Sequence, residues 1–159
     1  MSELRNPFLV SGIILLVTAA FLCAGCTSTA ESSEPATSNL GINPLSVEKV
    51  EVYHFHGDQQ CSSCIAVGDL AEKTVNTYFQ DELASGRLVF AHVNVQQPEN
   101  AALAQKYGVT GSSLWIGVYD TNGFHKEQNI RVWSLINNEE AYSGYLSAII
   151  SKRLNGTLD

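Results

Sequence analysis

The stretch YHFHGDQQCSSCIAVGDLAEKTV, residues 53–75, decides how the rest of the chain is read. It begins in an apolar, aromatic run that ends at Gly57, crosses a short polar loop, and places Cys61 and Cys64 where a helical pattern opens. Upstream, VEKVEV from Val47 extends that run into a valine-rich strand closed by glycine. Downstream to about Ala84, Ala71, Val75, Tyr78, Phe79 and Leu83 recur at three- and four-residue steps. Glu72, Lys73, Asn76, Gln80 and Glu82 fill the other face of this expected helix. A three-residue separation lets both sulfurs face one side of its first turn. Such a pair can exchange disulfides, hold a metal or staple a loop.

The elements that follow set the fold class. Gly86 in SGR stops the helix. LVFAHVNV, residues 88–95, predicts a second strand, buried on both sides because it is nearly continuous in apolar residues. PENAALAQKYG predicts a short helix with Pro98 in its first turn and Gly108 past its end. SLWIGVYD predicts a third strand carrying Trp115, TNG its turn, and NIRVWSLI a fourth strand carrying Trp133. A terminal helix is expected from about Asn138 to Leu154, and no internal repeat is present. The order βαβα then ββα requires a parallel crossover followed by a hairpin and a covering helix. The class is therefore α/β, with a four-stranded mixed sheet flanked by helices.

The amino end is of another kind. MSELRNPFLVSGIILLVTAAFLCAGC, residues 1–26, has a polar start with one arginine, an uncharged apolar stretch, and small residues directly before Cys26. This resembles a lipoprotein signal peptide over residues 1–25, which implies lipidation of Cys26. The pattern departs at Cys23, which stands where leucine is usual. An uncleaved membrane anchor and simple secretion are the competing readings, the first because the segment nears the length of a membrane span. All three place the remainder outside the cytoplasm at or beyond the cell membrane, and all remove Cys23 and Cys26 from the folded domain. Residues 26–46 are rich in Ser, Thr, Ala, Glu and Pro, too poor in large apolar groups to offset their ordering entropy, and are read as a flexible tether.

From residue 47 to about 155, roughly 110 residues remain, enough for one hydrophobic core. The 159-residue chain carries 9 Lys+Arg against 16 Asp+Glu, with no basic cluster. That balance argues against electrostatic capture of nucleic acid or anionic lipid headgroups.

Cys-x-x-Cys between the first strand and first helix of this element order resembles the thioredoxin fold, over about residues 47–155. KYGVTGSSLWIGVYD is similar to that superfamily's segment before the third core strand, with Tyr107, Gly108, Val109 and Gly111 matching. More narrowly, YHFHG…CSSC, VNVQQPEN and TGSSLWI together resemble a family of small membrane-tethered thioredoxin-like proteins. That family is named as a subunit of nitrophenyl-compound nitroreductases. The resemblance implies that Cys61 is the exposed nucleophile and Cys64 the more buried, resolving thiol. It implies thiol–disulfide oxidoreductase activity on a protein thiol or disulfide partner, with a membrane electron donor and no cofactor beyond the redox-active Cys61–Cys64 pair.

The residues themselves support this chemistry, because unpaired N–H groups and the dipole at a helix N-terminus stabilise a thiolate. Structural zinc wants four ligands, and the domain offers one cysteine pair with His54 and His56 upstream, so no metal site is assigned. A structural disulfide closing so short a loop constrains the unfolded chain little. Capture of a soft metal or metalloid by the reduced thiols stays open as the binding-module alternative, and a thioredoxin-like accessory subunit of a reductase complex is another. Three positions depart from thioredoxin. Gln60 replaces the tryptophan before the first cysteine. Phe55, between His54 and His56, stands where a buried carboxylate would lie, which makes His56 a candidate proton carrier; the competing reading is a histidine packed or solvated at a strand end. Ser113 replaces the proline beside the thiols, so the Ser112 and Ser113 hydroxyls are candidate substrate-loop groups. His92 and His125 read as isolated, the first in the core or at a strand edge, the second in a loop.

Overall fold

A computed structural model describes residues 46–158. The expected leader with Cys23, the lipidation candidate Cys26 and the tether up to residue 45 lie outside the described residues. No helix among the described residues is long and apolar enough to cross a membrane.

The chain runs β1 (Val47–His56), α1 (Ser62–Tyr78), α2 (Gln80–Ser85), β2 (Leu88–Asn94), α3 (Ala101–Tyr107), β3 (Ser113–Asp120), β4 (Gly123–Gln128) and α4 (Glu139–Leu154). Single 3-10 turns at Pro98–Asn100 and Arg131–Ser134 precede α3 and α4. The four strands form one sheet in the order β2-β1-β3-β4. β1 pairs parallel with β2 and antiparallel with β3, and β3 pairs antiparallel with β4. The expected mixed sheet is present, with β1 inside it.

Alternation along β1 sorts the core into two layers. Val50 and Val52 point to the face covered by Val67, Ala71 and Val75 of α1 and by Tyr142, Leu146 and Ile150 of α4. Tyr53 and Phe55 point to the opposite face, where they pack with Val93 and Tyr107. The two covering helices are also tied by polar contacts: the Tyr142 hydroxyl donates to the Val67 carbonyl (2.7 Å), and Thr74 Oγ1 donates to Ser143 Oγ (3.2 Å). α4 starts at Asn138, whose side chain accepts from the Ala141 amide at 3.0 Å, an N-cap bond that satisfies an otherwise free amide.

Four sequence expectations change. The long helix is two, because Phe79 leaves helical geometry (φ −133°, ψ 36°) while its side chain stays buried; the bend leaves Tyr78, expected on the apolar face, 58% exposed. β2 is not buried on both sides: it is the edge strand beside β1, with His92 exposed, and its apolar run reflects contact with β1 and the helices over it. The fourth strand is GFHKEQ, not NIRVWSLI. Asp120 pairs with Gly123 across Thr121 and Asn122, and Asp120 Oδ1 accepts from the Asn122 amide at 2.7 Å, so the hairpin returns at once. The strand that follows is polar because it lies on the sheet edge, and it places His125 in β4 rather than in a loop. The apolar NIRVWSLI instead begins after β4, where the Asn129 amide bonds to the Leu114 carbonyl, and it buries Val132 from a 3-10 turn that also holds Trp133.

Candidate functional site

Cys61 is the N-cap of α1, in extended geometry (φ −74°, ψ 161°), and its Sγ accepts from the Cys64 amide at 3.1 Å. The 17-residue helix has no acidic residue in its first turn, so no carboxylate of that turn offsets the positive end of its dipole. Cys61 is exposed and Cys64 half-buried, and the two are joined as a disulfide with Cα atoms 5.0 Å apart. Exposed Ile65 follows directly, an apolar surface beside the sulfurs.

The loop that delivers Cys61 to this position is clamped from the end of β2. Asn94 Nδ2 donates to Asp58 Oδ1 (2.7 Å), the Asp58 amide donates to Gln96 Oε1, and the Val95 amide donates to the His56 carbonyl (2.8 Å). A Cβ at Gly57 would fall 2.8 Å from Gln96 Oε1, so a side chain there would displace the Gln96 end of this clamp. VNVQQPEN therefore holds the dithiol loop.

Beneath the first turns of α1 lies a pair of histidines that the sequence reading left apart. His54, 1% exposed, sits on the α1 face of β1, and Phe55 faces the other way against Tyr107. Strand alternation thus gives the buried position under the dithiol to His54 and not to Phe55. Parallel register sets His54 directly opposite His92, and their Nδ1 atoms are 3.0 Å apart. His92 is therefore not isolated; its Nε2 lies 3.3 Å from Glu72 Oε2 on α1. Gly68 admits the pair, since a Cβ there would lie 2.7 Å from His54 Cε1 and 2.9 Å from His92 Cε1. Burial, with the neighbouring His92 and His56 rings adding to it, lowers the His54 pKa to about 4; the Cys64 backbone opposes the shift. His54 Nε2 is buried without a well-formed hydrogen bond.

His56, the candidate proton carrier, is half-buried and stacks on His54 with ring centroids 5.5 Å apart. Its Nδ1 is 2.9 Å from the Gly57 carbonyl, which accepts the ring proton and leaves Nε2 as the acceptor. Ser113 opens β3 opposite Phe55 and is buried. Its hydroxyl donates to the Gly111 carbonyl (2.9 Å) and accepts from Trp115 Nε1 (3.0 Å), so it is spent inside the loop; Ser112 beside it is half-buried. Gly108 caps α3 with positive φ (70°), and Tyr107 runs inward to donate to Glu51 at 2.8 Å. A cavity of about 260 Å³ lined by Ile116, His125, Glu127 and Arg153 involves neither cysteine.

A mixed sheet in the order β2-β1-β3-β4, with a dithiol opening the helix that leaves the inner strand β1, decides the architecture. The fold is thioredoxin-like. No protein-family model matches the chain, and no curated protein matches it. Among solved structures, the Trx4 domain of ERdj5 superposes with a TM-score of 0.46 at 18% identity, over 69% of this chain and 83% of that one. The zinc-bound form of human ERp44 gives 0.42 at 16% identity, over 63% of this chain, which spans only 26% of that protein. A thioredoxin from Thermus thermophilus gives 0.39 at 19% identity, over 65% and 75% of the two chains.

Proposed function

We propose that the chain is a membrane-tethered thiol–disulfide oxidoreductase acting outside the cytoplasm through Cys61 and Cys64. One observation carries the reading: an exposed sulfur at the N-cap of a long helix without first-turn acids, already paired with a second sulfur one turn in. In the reduced chain the Cys61 thiolate attacks a target disulfide, forming one S–S bond and expelling one target thiolate. Cys64 then attacks Cys61 Sγ and expels the second. The dithiol loses two electrons and the target gains them, so the cysteine pair is the only redox group required. A protein disulfide is the substrate class, and a membrane electron donor returns the pair to the dithiol.

The test uses the full chain with insulin disulfide as substrate. Cys61→Ser is expected to abolish reduction, and Cys64→Ser to trap a mixed disulfide on Cys61. Undiminished insulin reduction by both variants would overturn the reading, as would stoichiometric metal held by the reduced chain after dialysis, which is the signature of a binding module. Tethering rests on the sequence of residues 1–26 and is tested by lipid incorporation that Cys26→Ser removes. The narrower family likeness proposes a setting, an accessory thiol donor to a nitrophenyl-compound reductase complex. Its test is co-purification with such a reductase and loss of the complex's turnover on Cys61→Ser.

A further inference from the structure

One face of the sheet is covered by the long helices α1 and α4, whereas the other meets Leu103 and Tyr107 of the short α3. Strand alternation puts Lys49, Glu51, Tyr53 and Phe55 of β1 on that second face, with Trp115 and Tyr119 of β3 and Phe124 and Lys126 of β4. Tyr53, Phe55 and Tyr107 are buried there, but Trp115, Tyr119 and Phe124 are only half-buried. Lys106, directly before Tyr107, brings a third ammonium to the same place.

The three lysines lie on the rings. Lys49 Nζ is 4.3 Å from the centre of the Tyr119 ring, and Lys126 Nζ is 5.8 Å from that of Trp115. Lys106 Nζ is 4.5 Å from the Tyr119 centre and 4.0 Å from that of Phe124. The carboxylate among them is Glu51, buried and bound by Lys49 at 2.7 Å and by the Tyr107 and Tyr119 hydroxyls. Lys106 donates to the Tyr119 hydroxyl and Lys126 to the Lys106 carbonyl (2.7 Å), which leaves each exposed ammonium further donors. Three lysines less one carboxylate leave this face with a net charge of +2, on a chain whose balance is −7. The chain shows no basic cluster in sequence because these lysines stand 57 and 20 residues apart, and only folding collects them.

Two features choose the occupant. The tether joins the domain at β1, whose first residue, Val47, pairs with Asp120 beside Tyr119, so this face starts where the tether ends. Ammonium groups lying on half-open aromatic rings also match a boundary that is phosphate-rich on one side and apolar on the other, since Trp and Tyr settle at headgroup level and lysines pair with lipid phosphates. We propose that this face rests on the anionic surface of the membrane that holds the tether. The proposal rests on the tethering part of the functional reading and goes beyond it by fixing which way the domain turns.

Each lysine near an anionic surface multiplies the bound-to-free ratio by about 5, so a net +2 gives about 30-fold. Tethering makes so modest a factor sufficient, because the face is already held within reach of the lipid. The acids of α1 and α4 sit behind the sheet, on the side turned away from the bilayer, where salt screens them. β1 runs from the tether toward the dithiol, so Cys61 opens about 30 Å along the strand from Val47 and stays open to a partner.

The experiment reconstitutes the full chain into phosphatidylcholine vesicles with and without phosphatidylglycerol, recovers it by flotation, and pulses it with an amine-acylating reagent. Peptide mapping then reads each lysine. Lys106 and Lys126 should react about 5-fold more slowly on the anionic vesicles than on the neutral ones. Lys73 on α1 and Lys152 on α4 are the internal controls and should not change. High salt should erase the difference, and in K106Q/K126Q the protection of Lys49 should be lost. Equal acylation of Lys106 and Lys126 on the two vesicles overturns the proposal, as does slowing that extends to Lys73 and Lys152. Slowing that is equal on both vesicles and relieved by diluting the protein in lipid assigns the face to a second copy, and overturns it too. A chain that floats with neither vesicle sinks the tethering reading, and this orientation with it.

Discussion

Gly68→Ala sets two opposing terms against each other at the helix–histidine contact. Alanine in place of glycine inside a helix is worth about 1 kcal/mol in its favour. The added Cβ, however, would lie 2.7 and 2.9 Å from carbon atoms of the His54 and His92 rings. These are not the loose ends of flexible side chains: the rings are held to each other at Nδ1, and His54 is buried on the α1 face of the sheet. Overpacking of this kind costs about 1–3 kcal/mol, and disruption of the half-buried imidazole hydrogen bond adds about 1 kcal/mol. Steric cost wins, for a net loss of about 1–3 kcal/mol, or roughly 4–12 °C in Tm for a domain of this size. Gly144 in α4 supplies the internal control, because a Cβ there meets nothing within 4 Å. Gly144→Ala should therefore raise Tm by about 4 °C from propensity alone. Thermal melts of both variants at neutral pH make the comparison, and a His92→Ala background should relieve much of the Gly68→Ala penalty. A Gly68→Ala chain as stable as the native one would refute the claim that this glycine exists to seat the histidine pair.

Three further outcomes follow from the same contacts. The unfolded chain takes a proton on His54 near 6.5 and the folded chain only near about 4, so stability should fall across that window as pH drops. The loss should approach about 3 kcal/mol and vanish in His54→Gln, read from urea midpoints against pH. For Glu51, burial pushes the carboxyl up, but hydrogen bonds from Lys49, Tyr107 and Tyr119 outweigh it and hold the pKa below its usual 4.5. Glu51 therefore contributes stability above 4.5 that is lost as pH falls further, and Glu51→Gln should flatten that lower limb. Asn138→Ala, which removes the N-cap of α4, should cost about 1 kcal/mol in the same denaturation assay.

The strand-loop-helix passage around Cys61 was legible because every cue in it is local: alternation, a glycine stop, then helical spacing. The Tyr107-Gly108 corner was legible for the same reason, since a positive φ selects glycine. What escaped was set by pairing at a distance. Apolar content marked NIRVWSLI as a strand, whereas a two-residue turn had already committed GFHKEQ to β3. LVFAHVNV looked central, yet sheet position depends on which strands β1 and β3 leave uncovered. His54 and His92 are 38 residues apart, and only the parallel register joins them. A signal for that pair existed: a glycine at i+4 from Cys64 inside a strong helical pattern leaves a gap on the sheet side, and His54 shares the alternation of Val50 and Val52. The Ser113 hydroxyl read as a substrate contact because its neighbours were unknown; Trp115 and Gly111 claim it.

Alkylation of the reduced full chain against pH, with the modified cysteine located by peptide mapping, gives the most direct measure of whether the helix end activates Cys61. The prediction is preferential reaction at Cys61 with an apparent pKa clearly below the ~8.5 of a free cysteine. A titration at or above that figure, or modification favouring Cys64, would contradict it.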